Sequence, residues 1–236
     1  MDKGPRTVSG AAAVLTVVSF VTGVVLMASS GVETIIPDPG AAALRWAGQV
    51  EDGGQLFLAG GWLVVVGGLF AAVALVALYE LALLAGRWLV VAPVLAAVAM
   101  TLVTISHLVP VALAGHLTSD FASADGAEKA SLGSTIKTFA DFSQVLNLTG
   151  DELLWGVVVP LYAFAILRTR LVPRWIGWLG FVTALFGGWL GLLGVLVPAL
   201  DVSGIGFLAF FVWMASLGVS LLRGREAPVN VASAPQ

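Results

Sequence analysis

The sequence predicts an all-α membrane protein with six transmembrane helices and both termini on the cytoplasmic side. Three observations predict it. Of 236 residues, 59% are hydrophobic and only 11% charged, against roughly 25% charged in soluble domains. Six segments reach the roughly 20 apolar residues that crossing about 30 Å of hydrocarbon requires. Eight of the eleven Lys and Arg residues fall on one side of the resulting topology: Lys3, Arg6, Arg87, Arg168, Arg170, Arg174, Arg223 and Arg225. Arg45, Lys129 and Lys137 lie opposite, among most of the acids, so the positive-inside rule puts the termini in the cytoplasm and the chain in the cytoplasmic membrane.

The first span is 10–28. Lys3, Arg6 and "MASSG" resemble a secretory signal, but an apolar run of about 18 residues exceeds the usual 7 to 15, so it reads as an uncleaved helix. Residues 29–55 form an outer loop in which "AAALRWAGQ" suits one interfacial helical stretch. The second span, 56–78, carries Gly60, Gly61, Gly67 and Gly68, and "YELALLAGR" follows as a short turn. The third, 88–113, holds His107 and a bend at Pro110. A polar loop, 114–131, leads to the fourth span, 149–168, with an amphipathic helical extension before it as a further option. "RTRLVPR" turns the chain into the fifth span, 175–197, with Gly187, Gly191 and Gly194. The sixth is 205–222. Residues 1–223 thus make one six-helix domain and 224–236 a disordered tail. The small residues of helices 2 and 5 permit close packing within the bundle, or pairing with a second copy or a membrane partner. Trp88, Trp175 and Trp178 on one boundary and Trp46 on the other read as interfacial anchors.

"PRTVSGAAAVLTVVSFVTGVVL", the "LY" closing span 2 and "YAFAILRTRLVPRWIGWLGFVTAL" resemble a bacterial family of six-span membrane proteins, the domain of unknown function numbered 4386. The turn with arginine, proline, tryptophan and glycine between spans 4 and 5 carries most of the likeness. The resemblance implies a six-helix fold and brings no catalytic residues.

"NLTGDELLWG", 147–156, sets Asp151 and Glu152 in this apolar context. One reading is a capping box: Thr149 as N-cap, Glu152 reaching back to it, and Asp151 at the positive end of the dipole. The other is one long helix from about Ser131 to Arg168. There Lys137, Asp141, Gln144, Asn147, Asp151, Glu152 and Trp155 fall within an arc of about 140°. Glu152 lies about 24 Å from Arg168 and His107 about 30 Å from Arg87 at 1.5 Å per residue, so His107, His116 and the acids share an outer level. This cluster is the candidate polar or ion-binding site. Histidines nine residues apart are not a metal-motif spacing, so no metal is expected.

Other chemistries lack their residues. Cysteine is absent. No phosphate loop, dinucleotide fingerprint, nucleophile elbow or HExxH motif occurs, so no cofactor is expected. Nucleic-acid binding lacks a basic patch, and Ser106 beside His107 fails as a nucleophile and base because neighbours on a helix point about 100° apart. The expected function is therefore a non-catalytic membrane protein, structural, sensory or a partner subunit. The alternative is a small transporter or channel-like permease using His107, Asp141, Asp151 and Glu152. Convergence of Asp141, Asp151 and Glu152 with His107 inside the bundle would favour the permease, whereas acids facing water or a helix N-terminus would favour the first reading.

Overall fold

The computed structural model describes residues 1–33, 40–197 and 203–224, and all regular structure among them is helical. The helices are α1 (Lys3–Ser29), α2 (Gly40–Val76), α3 (Tyr79–Ala85), α4 (Val91–Ser123), α5 (Gly126–Leu153), α6 (Val159–Thr169), α7 (Arg174–Thr183), α8 (Leu190–Leu196) and α9 (Ser203–Arg223). A 3₁₀ turn, Arg87–Val90, leads into α4, and π turns Leu154–Val158 and Ala184–Trp189 join α5 to α6 and α7 to α8. Six continuous helical stretches among the described residues are long and apolar enough to cross a membrane. The chain is a multi-pass, all-helical membrane protein.

The two ends of the bundle differ. At one, Arg6 Nε donates to the Leu221 carbonyl at 2.9 Å, and the Asp2 amide donates to Glu80 Oε2 at 2.7 Å, bringing together α1, α3 and the end of α9. At the other end the helices overrun the expected spans. The stretch Gly126–Thr169 has 44 residues, or about 66 Å at 1.5 Å per residue, twice the hydrocarbon thickness. Residues expected to form a loop at 114–131 instead complete α4 and begin α5, with only Ala124 and Asp125 between the two helices. Asp125 is the N-cap of α5, its Oδ1 accepting from the Ala127 and Glu128 amides at 3.2 Å. The "AAALRWAGQ" stretch lies within α2. Trp46, expected as an interfacial anchor, is 1% exposed; its ring packs edge-on to Phe57 and its Nε1 donates to the Glu33 carbonyl. The tail from Arg225 onward lies outside the described residues.

At three interruptions of these helices a side chain of a neighbouring helix donates to a backbone carbonyl, as a dry interior favours. At the end of α2 the Leu78 amide turns to the Leu75 carbonyl. Ser9 of α1 then donates to the Ala74 carbonyl at 2.8 Å and Tyr162 of α6 to the Leu75 carbonyl at 2.6 Å, all fully buried. Pro110 in α4 has no N–H for the carbonyl four residues back. That carbonyl, Ser106, accepts from Ser143 Oγ of α5 at 2.7 Å. Pro160 likewise leaves the Gly156 carbonyl, which accepts from Trp189 Nε1 at 3.1 Å, and the wide π turn before it relieves the clash of the proline ring.

Glycine sets the close contacts. A methyl group on Gly23 of α1 would meet the Gly60 carbonyl at 2.6 Å, and one on Gly60 would meet the Gly23 carbonyl at 2.6 Å. Gly67 faces Phe20, while Gly61 and Gly68 face Val111 and Thr104 of α4. The seven-residue recurrence therefore serves two neighbours, with 60 and 67 against α1 and 61 and 68 against α4. Contact with a second copy through α2 would need faces other than these.

Candidate functional site

The stretch α5 to α6 is one helix through "NLTGDELLWG", so the capping box at Thr149 and Glu152 does not exist. Thr149 lies in the helix interior and donates its hydroxyl to the Val145 carbonyl at 2.8 Å. The continuous-helix reading holds, and with it the polar stripe. Its outer members face outward. Asp141 is exposed and pairs with Lys137 at 3.0 Å, and Gln144 is exposed as well. His116 is exposed and, with Val109, Leu113, Thr135 and Phe139, lines a shallow groove between α4 and α5; it does not join the other histidine.

The inner members converge. Asn147 Nδ2 donates to Asp151 Oδ2 at 2.8 Å, which orients the amide so that Oδ1 faces α4. Ser106 Oγ donates to that Oδ1 at 3.0 Å. His107 Nδ1 lies 2.8 Å from the Val103 carbonyl and 3.3 Å from Ser106 Oγ. A carbonyl acceptor assigns the proton to Nδ1, leaving Nε2 as the free acceptor of a neutral ring. The result is a polar cluster in which Asn147 donates to the Asp151 carboxylate, Ser106 Oγ contacts Asn147 Oδ1 at 3.0 Å and the Val103 carbonyl at 2.7 Å, and His107 Nδ1 shares that same carbonyl. Ser106 Oγ and His107 Nδ1 come within 3.3 Å despite their 100° offset, but with its proton directed at the Val103 carbonyl that nitrogen is no base for the serine.

Helix geometry places the cluster. Gly150 packs on Ala99 and Val103, where a methyl would come within 3.0 Å of the Ala99 carbonyl. That close approach brings Asn147 and Asp151 against the turn carrying Ser106 and His107. Opposite, the Phe20 ring of α1 stands edge-on to His107 at 5.6 Å and touches Phe207 and Phe211 of α9 at 5.8 and 5.0 Å. A His, an Asp and two side chains between them thus sit against an aromatic wall, toward the end of the bundle away from the termini. Ser143 and Ser106 were not among the sequence candidates. The signal for them was Pro110, since a proline inside a spanning helix requires a donor for the carbonyl four residues earlier.

Glu152 points elsewhere. Methyl groups on Gly156 and Gly191 would lie 3.8 Å from its Oε2 and Oε1, so the carboxylate spans the seam between the α5 to α6 stretch and α8. It is half-buried and has no hydrogen-bond or ion-pair partner among the described residues. Nearby, Gly188 meets the Gly156 backbone, where a methyl would fall 2.5 Å from the amide nitrogen. The two π turns therefore face each other. Among the described residues no group of three or more His, Asp or Glu side chains is placed to hold a metal ion.

No curated protein and no solved structure matches the chain. A family model matches residues 8–224, nearly the whole length, including both interrupted stretches and the polar cluster. The chain belongs to the family described as "Domain of unknown function (DUF4386)".

Proposed function

We propose that the protein is a non-enzymatic, proton-linked small permease of the bacterial cytoplasmic membrane, with Asp151 as its proton-binding carboxyl. The observation that carries this reading is the polar cluster His107, Ser106, Asn147 and Asp151, which bridges α4 and α5 and brings one of the candidate acids together with His107. Ionisable side chains at such depth are costly and mark proton relays or substrate paths. The excess of arginine at the terminal face supports an orientation that puts the polar cluster in the outer half of the bundle.

A second reading, a structural, sensory or partner subunit, is favoured by one contact. Ser143 supports the Pro110 bend, so part of the network also locks two helices. Purified protein in proteoliposomes separates the two. Under an imposed pH gradient, the permease reading expects proton flux that Asp151→Asn abolishes and His107→Ala reduces, with melting temperature retained. Wild-type vesicles no leakier than empty ones, with both variants less stable, would leave the structural reading.

A further inference from the structure

The seam holding Glu152 offers a binding site that the polar cluster does not use. The carboxylate lies in ordinary contact range of two glycine positions, 156 and 191, which leave it open on that side. Beside it Trp189 is 49% exposed, its indole fixed by the bond to the Gly156 carbonyl, and Val157 and Leu192, next in sequence to Gly156 and Gly191, are exposed and apolar. The seam therefore opens toward lipid. No Lys or Arg occurs between Lys137 and Arg168 or between Arg174 and Arg223, so neither helix of the seam supplies a counter-charge at this level. At about 24 Å from Arg168 along the helix, the carboxylate sits just inside the outer edge of a hydrocarbon layer about 30 Å thick. Lipid headgroups occupy that edge, and a tryptophan there is a typical interfacial residue.

We propose that Glu152 binds the primary ammonium of an ethanolamine phospholipid in the outer leaflet, with the Trp189 ring covering one side and Gly156 and Gly191 providing the room. The ammonium donates to both carboxylate oxygens, a charge-assisted pair strengthened by its apolar surroundings, and the acyl chains lie along Val157 and Leu192. The proposal does not depend on the permease reading, because it uses neither Asp151 nor His107.

The test is thermal unfolding of the full chain in nanodiscs of phosphatidylcholine, with and without added phosphatidylethanolamine or phosphatidylglycerol, with soluble ethanolamine as a further arm. Phosphatidylethanolamine should raise the melting temperature of the wild type by several degrees, as a ligand binding only the folded state does. Phosphatidylglycerol and soluble ethanolamine should not. Glu152→Gln should lose that increment, whereas Asp151→Asn should keep it, which separates this site from the polar cluster. Should Glu152→Gln fold poorly, Trp189→Phe, which keeps an apolar ring, should retain at least half of the shift. An equal shift in wild type and Glu152→Gln, or an equal shift with phosphatidylglycerol, would overturn the proposal; a shift with soluble ethanolamine would replace the lipid by a free amine.

Discussion

Single side chains in this protein are decided by what happens to backbone carbonyls. Ser9, Ser143 and Trp189 each serve a carbonyl freed by a helix interruption, and Tyr162 adds a second donor to the Leu75 carbonyl at one of them; in hydrocarbon there is no water to take their place. Thr149 illustrates the contrast. Its hydroxyl bonds within its own helix at an exposed position, so Thr149→Ala should change stability by no more than about 0.5 kcal/mol. Asp125 is the real cap of that helix, and Asp125→Ala should cost about 0.5 to 2 kcal/mol. Chemical denaturation in mild detergent checks both, and a larger loss at Thr149 than at Asp125 would contradict the continuous helix.

At the scale of helices, the facing π turns are the most tightly specified feature. Gly188 cannot take a methyl without striking the Gly156 backbone, whereas one on Gly191 would make only ordinary contacts at 3.7 and 3.8 Å. Gly188→Ala should therefore destabilise by about 1 to 3 kcal/mol, as overpacking does, and Gly191→Ala should be close to neutral in the same unfolding experiment. The sequence made the number of long apolar helices legible, because hydrophobic length is set by the bilayer. It did not show where they end. The polar residues of 114–131 suggested a loop, since a helix leaving the membrane no longer needs an apolar surface and its composition matches that of a loop. The stripe from Asn147 to Glu152 was visible, yet its division was not. Asp151 and Glu152 are adjacent, and only the packing of Gly150 against Ala99 and Gly188 against Gly156 sends one into the bundle and the other into the α8 seam. The roles of Ser106 and Ser143 rested on the consequence of Pro110, a contact between helices that no spacing within one helix reveals.

For the molecule as a whole, an even number of crossings puts the Lys3 end and the Arg223 end on one face, and the bond from Arg6 to the Leu221 carbonyl joins them. With no native cysteine, single cysteines report topology cleanly. In intact cells Glu128→Cys should react with an impermeant maleimide from outside, and Gly224→Cys only after permeabilisation. Reaction of Gly224→Cys from outside, with Glu128→Cys protected until permeabilisation, would reverse the orientation on which an outward-facing polar cluster depends, and reaction of both from outside would contradict the six-span topology. The central claim, that the cluster holding Asp151 carries protons rather than only locking α4 to α5, is tested most directly by comparing Asp151→Asn with Ser143→Ala in one proteoliposome preparation. Ser143→Ala removes the support of the Pro110 bend and should lower the melting temperature while the remaining folded protein still dissipates a pH gradient. Asp151→Asn should keep the melting temperature and lose the flux; an Asp151→Asn protein that melts earlier but dissipates the gradient as fast as wild type would contradict the account.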